Sequence, residues 1–319
     1  MWFWILSIAL ILIFLGFFSF SYVCFLNACG RQKKPKTEQR ELGGLQEIPA
    51  PVKELLPKCR QWLDEASSET VTVESKDGLI LSGQLFTTPG EAKGIVLLFH
   101  GYHSSCRRDL AIQAKALYDT GYHVLLVSQR AHGKSQGKYI CFGVKERWDV
   151  GAWCCLARRR FGDLPIGLMG LSMGAATVLM AAGTKLPSQV RCVVGDCGFT
   201  TPWAITLRAL QYRHKIYPYP VIYFMNYWCR ILAGYDYRDA SVPEALKQSK
   251  LPVLLIHGEG DLYVPADMSR ESAAVDPERI ELLLIPKATH AQAIFYDPEQ
   301  YLSRMLRFFD RHMTDNKKG

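Results

Sequence analysis

The period of apolar positions changes several times along the chain. Residues 2–29 contain no charged side chain and are dominated by Phe, Leu and Ile, a run long enough to cross a bilayer as a helix. From residue 31 to about 57 the pattern is polar and aperiodic, interrupted by Pro35, Gly43-Gly44, Pro49 and Pro51. It reads as a linker that joins the following domain through a short helix over 52–62. Beyond it, alternation in Thr70-Val71-Thr72-Val73-Glu74, a turn at Lys76-Asp77-Gly78 and a second run over 79–86 predict a hairpin. Apolar runs over 94–99, 123–127, 166–171, 190–194, 252–256 and 280–284 predict further strands, most of them buried on both faces. Helical patterns over 111–118, 147–160, 266–274 and 298–311, and an Ala-rich stretch after residue 172, lie between or beyond them. Strands alternating with helices predict a mostly parallel sheet covered on both faces. Such sheets bind ligands beyond the carboxyl ends of their strands. The expected organisation is an anchor over 1–30, a linker over 31–60, and one domain over 61–319 with an insertion at about 199–250.

Composition narrows the partners. The formal charge of +8 is partly concentrated in Arg31-Gln32-Lys33-Lys34-Pro35-Lys36, and the remaining cations are mixed with acids, so no nucleic-acid footprint is present. The ten cysteines show neither CxxC nor Cys/His metal spacing. Free thiols in a reducing compartment are expected, with no metal and no cofactor. Trp2, Trp4 and Tyr22 lie near the ends of the apolar run, and no Lys or Arg precedes it. That argues for a retained span over a signal peptide. The flanking positive charge lies on the C-terminal side, so a single-pass topology with the domain in the cytoplasm is expected.

One stretch carries chemistry. Residues 166–171 read as a strand, Gly170-Leu171-Ser172-Met173-Gly174 as a sharp turn, and the Ala-rich sequence after it as a helix. G-x-S-x-G between strand and helix is the nucleophile-elbow pattern. The two glycines leave room for the bend. The unpaired N–H groups at the start of the helix favour negative charge near Ser172.

Four motifs then carry a resemblance: Phe99-His100-Gly101-Tyr102; Gln129-Arg130-Ala131-His132-Gly133-Lys134-Ser135; the elbow; and Ile256-His257-Gly258-Glu259-Gly260-Asp261 followed by Val264-Pro265. Over about residues 65–312 the chain resembles the α/β-hydrolase superfamily. It is similar in particular to its bacterial lysophospholipase-like and acyl esterase members. The resemblance implies an α/β fold with a helical cap and a triad in the chain order Ser, acid, His. Ser172 is then the nucleophile, because a serine hydroxyl attacks only when an oriented base takes its proton. His290, after the last strand, takes the base position. His100, His132 and His257 sit in strand-end motifs and fit loop-bonding roles. Asp261 is the expected acid, and Asp196, after the preceding strand, is the competitor. The elbow offers the Met173 N–H to an oxyanion, and the H-G-x resemblance offers that of Tyr102. Members commonly carry Asp where this chain has Gln129, which puts the bonding of that loop in question.

The 199–250 insertion is rich in aromatic residues. These either pack a cap against the body or form an apolar wall over the site, with His103, Trp203 and Tyr223 as candidate pocket residues. Ser241-Val242-Pro243-Glu244 reads as a capping box. The expected substrate is a small-molecule or lipid ester, with a lysophospholipase or thioesterase as the narrower alternative. A peptidase is less favoured, because no propeller-like second domain is recognised. A catalytically silent binding protein with the same fold is the alternative from another class.

Overall fold

The computed structural model of the chain describes residues 1–31 and 50–313. Eight strands form one sheet in the order β1-β2-β4-β3-β5-β6-β7-β8. They are β1 Glu69–Glu74, β2 Ile80–Phe86, β3 Gly94–Phe99, β4 Tyr122–Val127, β5 Ile166–Leu171, β6 Val190–Asp196, β7 Val253–Gly258 and β8 Ile280–Ile285. β1 and β2 pair antiparallel, as does β2 with β4; every other pairing is parallel. The continuous apolar runs are explained by burial on both faces. Along β3, Ile95, Leu97 and Phe99 enter one core while Val96 and Leu98 enter the other, the period of two that a pleated strand imposes.

The helices are α1 Trp2–Cys29, α2 Ala50–Glu65, α3 Cys106–Asp109, α4 Ala111–Asp119, α5 Glu146–Phe161 and α6 Met173–Ala182, then α7 Pro202–Arg208, α8 Val221–Trp228, α9 Val242–Gln248, α10 Asp267–Ala273, α11 Ala293–Tyr296 and α12 Pro298–Met313. Residues of α2, α4 and α12 fill the core on one sheet face. Those of α5, α6, α8 and α9 fill the other. α7 and α8 each run on into a π-helical turn, at Ala209–Arg213 and Cys229–Ala233.

Two local readings change. The short helix expected over 52–62 is longer, α2 running from Ala50 to Glu65 and taking up the end of the expected linker, although Pro57 lies inside it. Val52, Leu56, Cys59 and Leu63 recur every three or four residues and are buried, and that burial outweighs the backbone bond the proline removes. The remainder of the expected linker, residues 32–49, lies outside the described residues. At α9 only half of the capping box forms. Ser241 Oγ accepts the Glu244 N–H, but the Glu244 carboxylate pairs with Lys247 at 2.7 Å.

α1 is 28 residues long and apolar enough to cross a membrane by length and composition. From Phe14 onward it packs on the domain. Phe18 meets Trp228 with ring centroids 4.5 Å apart, Phe14 meets Phe224 at 5.5 Å, and Phe25 is fully buried. The Ile140 N–H donates to the Cys29 carbonyl, and the Arg31 guanidinium donates to the carbonyls of Gly133 and Ser135. All ten cysteines are free.

Candidate active site

The site begins with a backbone bend. Ser172, between β5 and α6, has φ 54° and ψ −112°, a region an L residue occupies only when its surroundings force it. The flanking glycines explain how the chain gets there. A Cβ on Gly170 would lie 2.1 Å from the Gly174 carbonyl oxygen, and one on Gly174 would lie 2.0 Å from that of Phe99. Neither approach allows a side chain, so α6 can lie against β3 and β5 only with glycine at both positions. The Ser172 N–H is already spent on the Asp196 carbonyl at 2.7 Å.

The loops after β7 and β8 bring the partners. Ser172 Oγ lies 2.9 Å from His290 Nε2, and His290 Nδ1 lies 2.6 Å from Asp261 Oδ2. Asp261 is 3% exposed and is held on both oxygens. Oδ1 accepts the N–H groups of Tyr263 and Val264, while Oδ2 also faces His257 Nε2 at 3.3 Å. Burial pushes its carboxyl up, but hydrogen bonds from His257, His290 and the Val264 backbone outweigh burial and hold it at about 2. It is therefore an anion at neutral pH, oriented to keep a proton on His290 Nδ1 and the lone pair on Nε2 toward Ser172. The Tyr263 ring stands edge-on to His290 at 5.2 Å.

The competing carboxylate is engaged elsewhere. Asp196 is fully buried, and its Oδ2 accepts the Tyr301 hydroxyl at 2.7 Å. Burial raises it to about 6 against the pull of Tyr301 and the nearby histidines.

The three strand-end histidines bind loops, as their motifs predicted. His100 bridges the Gly101 carbonyl and the Gln129 N–H; burial lowers it to about 4. His132 bridges the Arg130 carbonyl and the His103 N–H; burial lowers it to about 3. His257 bonds Ser269 Oγ and the Val264 carbonyl. Gln129 supplies the tie expected of an aspartate by another route, its Nε2 donating to the His100 carbonyl at 2.6 Å.

Two features escape a reading by motif. Asp109 is half-buried, its oxygens accepting the Gly101 N–H at 2.8 Å and the Ser104 hydroxyl at 2.5 Å. It thereby fixes the loop that carries Tyr102; its only signal in sequence is an acid eight residues beyond Gly101. The Tyr102 hydroxyl donates to the Ala28 carbonyl at the end of α1, at 2.7 Å, a contact no local pattern encodes. Among the described residues, the N–H groups of Tyr102 and Met173 donate to no protein acceptor. The Tyr102 ring stacks on His103 at 3.8 Å. Trp203 and Tyr223 meet at 5.5 Å in the insertion, with Arg238 4.1 Å over the Trp203 ring. The insertion reaches the acid loop where Arg208 Nη2 donates to the Leu262 carbonyl. Among the described residues no cluster of His, Cys, Asp and Glu could hold a metal ion.

Known proteins share this architecture. The chain matches one family model described as serine aminopeptidase, S33, over residues 90–215. It matches a second, described as prolyl oligopeptidase family, over residues 156–316, half of its length. The uncharacterised protein YqkD of Bacillus subtilis is 25% identical over 233 residues, 72% of this chain and 74% of that relative. A lysophosphatidylserine lipase of Danio rerio, ABHD12, is 26% identical over 188 residues, 56% of this chain and 46% of its own length. A solved structure of a Pyrococcus furiosus esterase is 25% identical with a TM-score of 0.63, covering 81% of this chain and 94% of that one. The chain belongs to the serine hydrolases of the α/β-hydrolase fold, matching the prolyl oligopeptidase family model over half its length.

Proposed function

We propose that the chain is a membrane-anchored esterase working through an acyl-enzyme, with Ser172 as nucleophile, His290 as general base and Asp261 as orienting acid. The observation that carries this is the continuous relay from Ser172 Oγ through both ring nitrogens of His290 to Asp261. His290 Nε2 takes the hydroxyl proton as Ser172 Oγ bonds the ester carbonyl carbon. The resulting oxyanion is received by the N–H groups of Tyr102 and Met173, a contribution of about 3–4 kcal/mol per donor. Collapse breaks the bond to the alcohol oxygen, which leaves with the proton from His290. Water, deprotonated by the same nitrogen, then releases the acid and restores Ser172.

Ester substrates are favoured by the esterase and lipase names among the relatives. A lysophospholipid or thioester falls within the same chemistry. Amide hydrolysis is the second reading, favoured by two family models named for peptidases. α1 is the proposed anchor and the cytoplasm the proposed side for the domain. A fluorophosphonate probe tests the core of the proposal. It should label the wild-type chain and leave Ser172→Ala unlabelled. No label on the wild type, or equal label on both, points instead to a catalytically silent binding protein.

A further inference from the structure

α1 and the insertion form one apolar unit, and its dimensions bear on where the site opens. A bilayer core of about 30 Å takes roughly 20 helical residues, so a span starting at Trp2 ends near Ser21. The domain already touches α1 at Phe14, through Phe224 of α8. Any span of about 20 residues within Trp2–Cys29 contains Phe14 and Phe18, against which α8 packs. A span made by α1 therefore takes α8 with it into the boundary between acyl chains and headgroups.

The connection allows no swivel. Cys29, Gly30 and Arg31 are bonded to residues 133–140 of the domain, and Trp228 Nε1 donates to Ser21 Oγ. The composition of α8 and its π-helical extension matches that position. Phe224, Tyr227, Trp228 and Ile231 recur at i, i+3, i+4 and i+7, the spacing of one helical stripe. The first three lie against α1. Yet Tyr227 is still 47% exposed and Ile231 63% exposed. Exposed Arg230 precedes Ile231 on the extension, a cation beside an apolar face as in helices that lie in an anionic interface.

We propose that this face of α8 and its extension is a second membrane-contact surface, seated in the bilayer interface beside α1. The insertion bordering the acid loop then rests on the lipid surface, and the ester reaches Ser172 from the bilayer. The surface rests on the reading of α1 as a span, and the delivery of substrate on the esterase reading.

The test uses the full chain reconstituted in vesicles of phosphatidylcholine and phosphatidylglycerol. Ile231→Cys carries an environment-sensitive fluorophore, Asp119→Cys on α4 serves as the water-exposed reference, and the unsubstituted chain gives the labelling background. Emission from position 231 should shift to the blue and fall about twofold with doxyl-labelled lipid, while the reference stays unchanged. Ile231→Asp should slow hydrolysis of a long-chain ester held in the vesicles about tenfold and leave a short water-soluble ester unaffected. A blue shift without doxyl quenching means a second copy covers the face and overturns the proposal, as does emission typical of water. Alkaline carbonate extraction separates the underlying readings: a chain that stays in the pellet with position 231 in water overturns the surface alone, and a released chain overturns the span with it. Quenching in a chain that fluorophosphonate does not label leaves the surface standing and removes the esterase reading.

Discussion

Asp261 and Asp196 sit at the ends of neighbouring strands, and replacing each with asparagine separates their roles. Asp261 Oδ1 is fastened by two backbone N–H groups, from Tyr263 at 2.9 Å and Val264 at 2.8 Å. An asparagine must keep its carbonyl oxygen there, which turns its NH2 toward His290 Nδ1, now 2.6 Å from a carboxylate oxygen. A donor facing that nitrogen forces the imidazole into the tautomer with its proton on Nε2, opposite Ser172 Oγ. The base can then no longer accept the serine proton. Loss of the correct tautomer costs about four orders of magnitude in rate, or about 5.4 kcal/mol of transition-state stabilisation. At Asp196 the carboxylate accepts the Tyr301 hydroxyl, which an asparagine oxygen accepts equally. Asp196→Asn should therefore retain activity within about tenfold, ~1.4 kcal/mol. The assay is kcat/KM for p-nitrophenyl acetate on the purified full chain in detergent, with thermal unfolding of each variant as a check on folding. A folded Asp261→Asn chain within tenfold of wild type, or a larger loss at Asp196, would refute the assignment.

Two further outcomes follow from the same geometry. Burial raises Asp196 to about 6 from an ordinary 3.8, so between those values the folded state holds a proton that the unfolded state has released. Wild-type stability therefore falls as pH rises through this window, by up to about 3 kcal/mol. Asp196→Asn should gain stability relative to wild type as pH rises toward 7, measured by urea midpoints across the range, and a pH-independent difference contradicts the burial argument. Gly174→Ala places a Cβ 2.0 Å from the Phe99 carbonyl oxygen, where α6 crosses β3. It should destabilise the fold by about 3 kcal/mol or more, and a urea midpoint equal to wild type would show that the elbow has slack.

Much of the fold was legible in the residues because its signals are local. The run 94–99 contains no polar side chain, and no one-sided strand reads that way. The glycines around Ser172 mark a bend whose need for them is steric and confined to five residues. Ser172, Asp261 and His290 could be ordered by motif because each follows a strand on the same sheet edge. The helix through Pro57 was legible over 52–62, but not its full extent from Ala50 to Glu65, because its ends are set by packing against a distant surface.

What the sequence determined by itself, then, was the succession of strands and helices, the elbow, an apolar N-terminal run and a short roster of candidate acids. Tertiary structure decided which acid faces His290 Nδ1, since Asp196 and Asp261 differ not in residue type but in whether Tyr301 or His290 stands opposite. It also decided what the aromatic insertion packs against. A stripe at 224, 227, 228 and 231 states that one helix face seeks apolar company. Only the folded chain brings α1, some two hundred residues away in sequence, against that face and sets the Ala28 carbonyl on the Tyr102 hydroxyl. Periodicity records that a surface is to be buried, whereas the partner is selected by shape and by hydrogen bonds between segments that meet only once the sheet has formed.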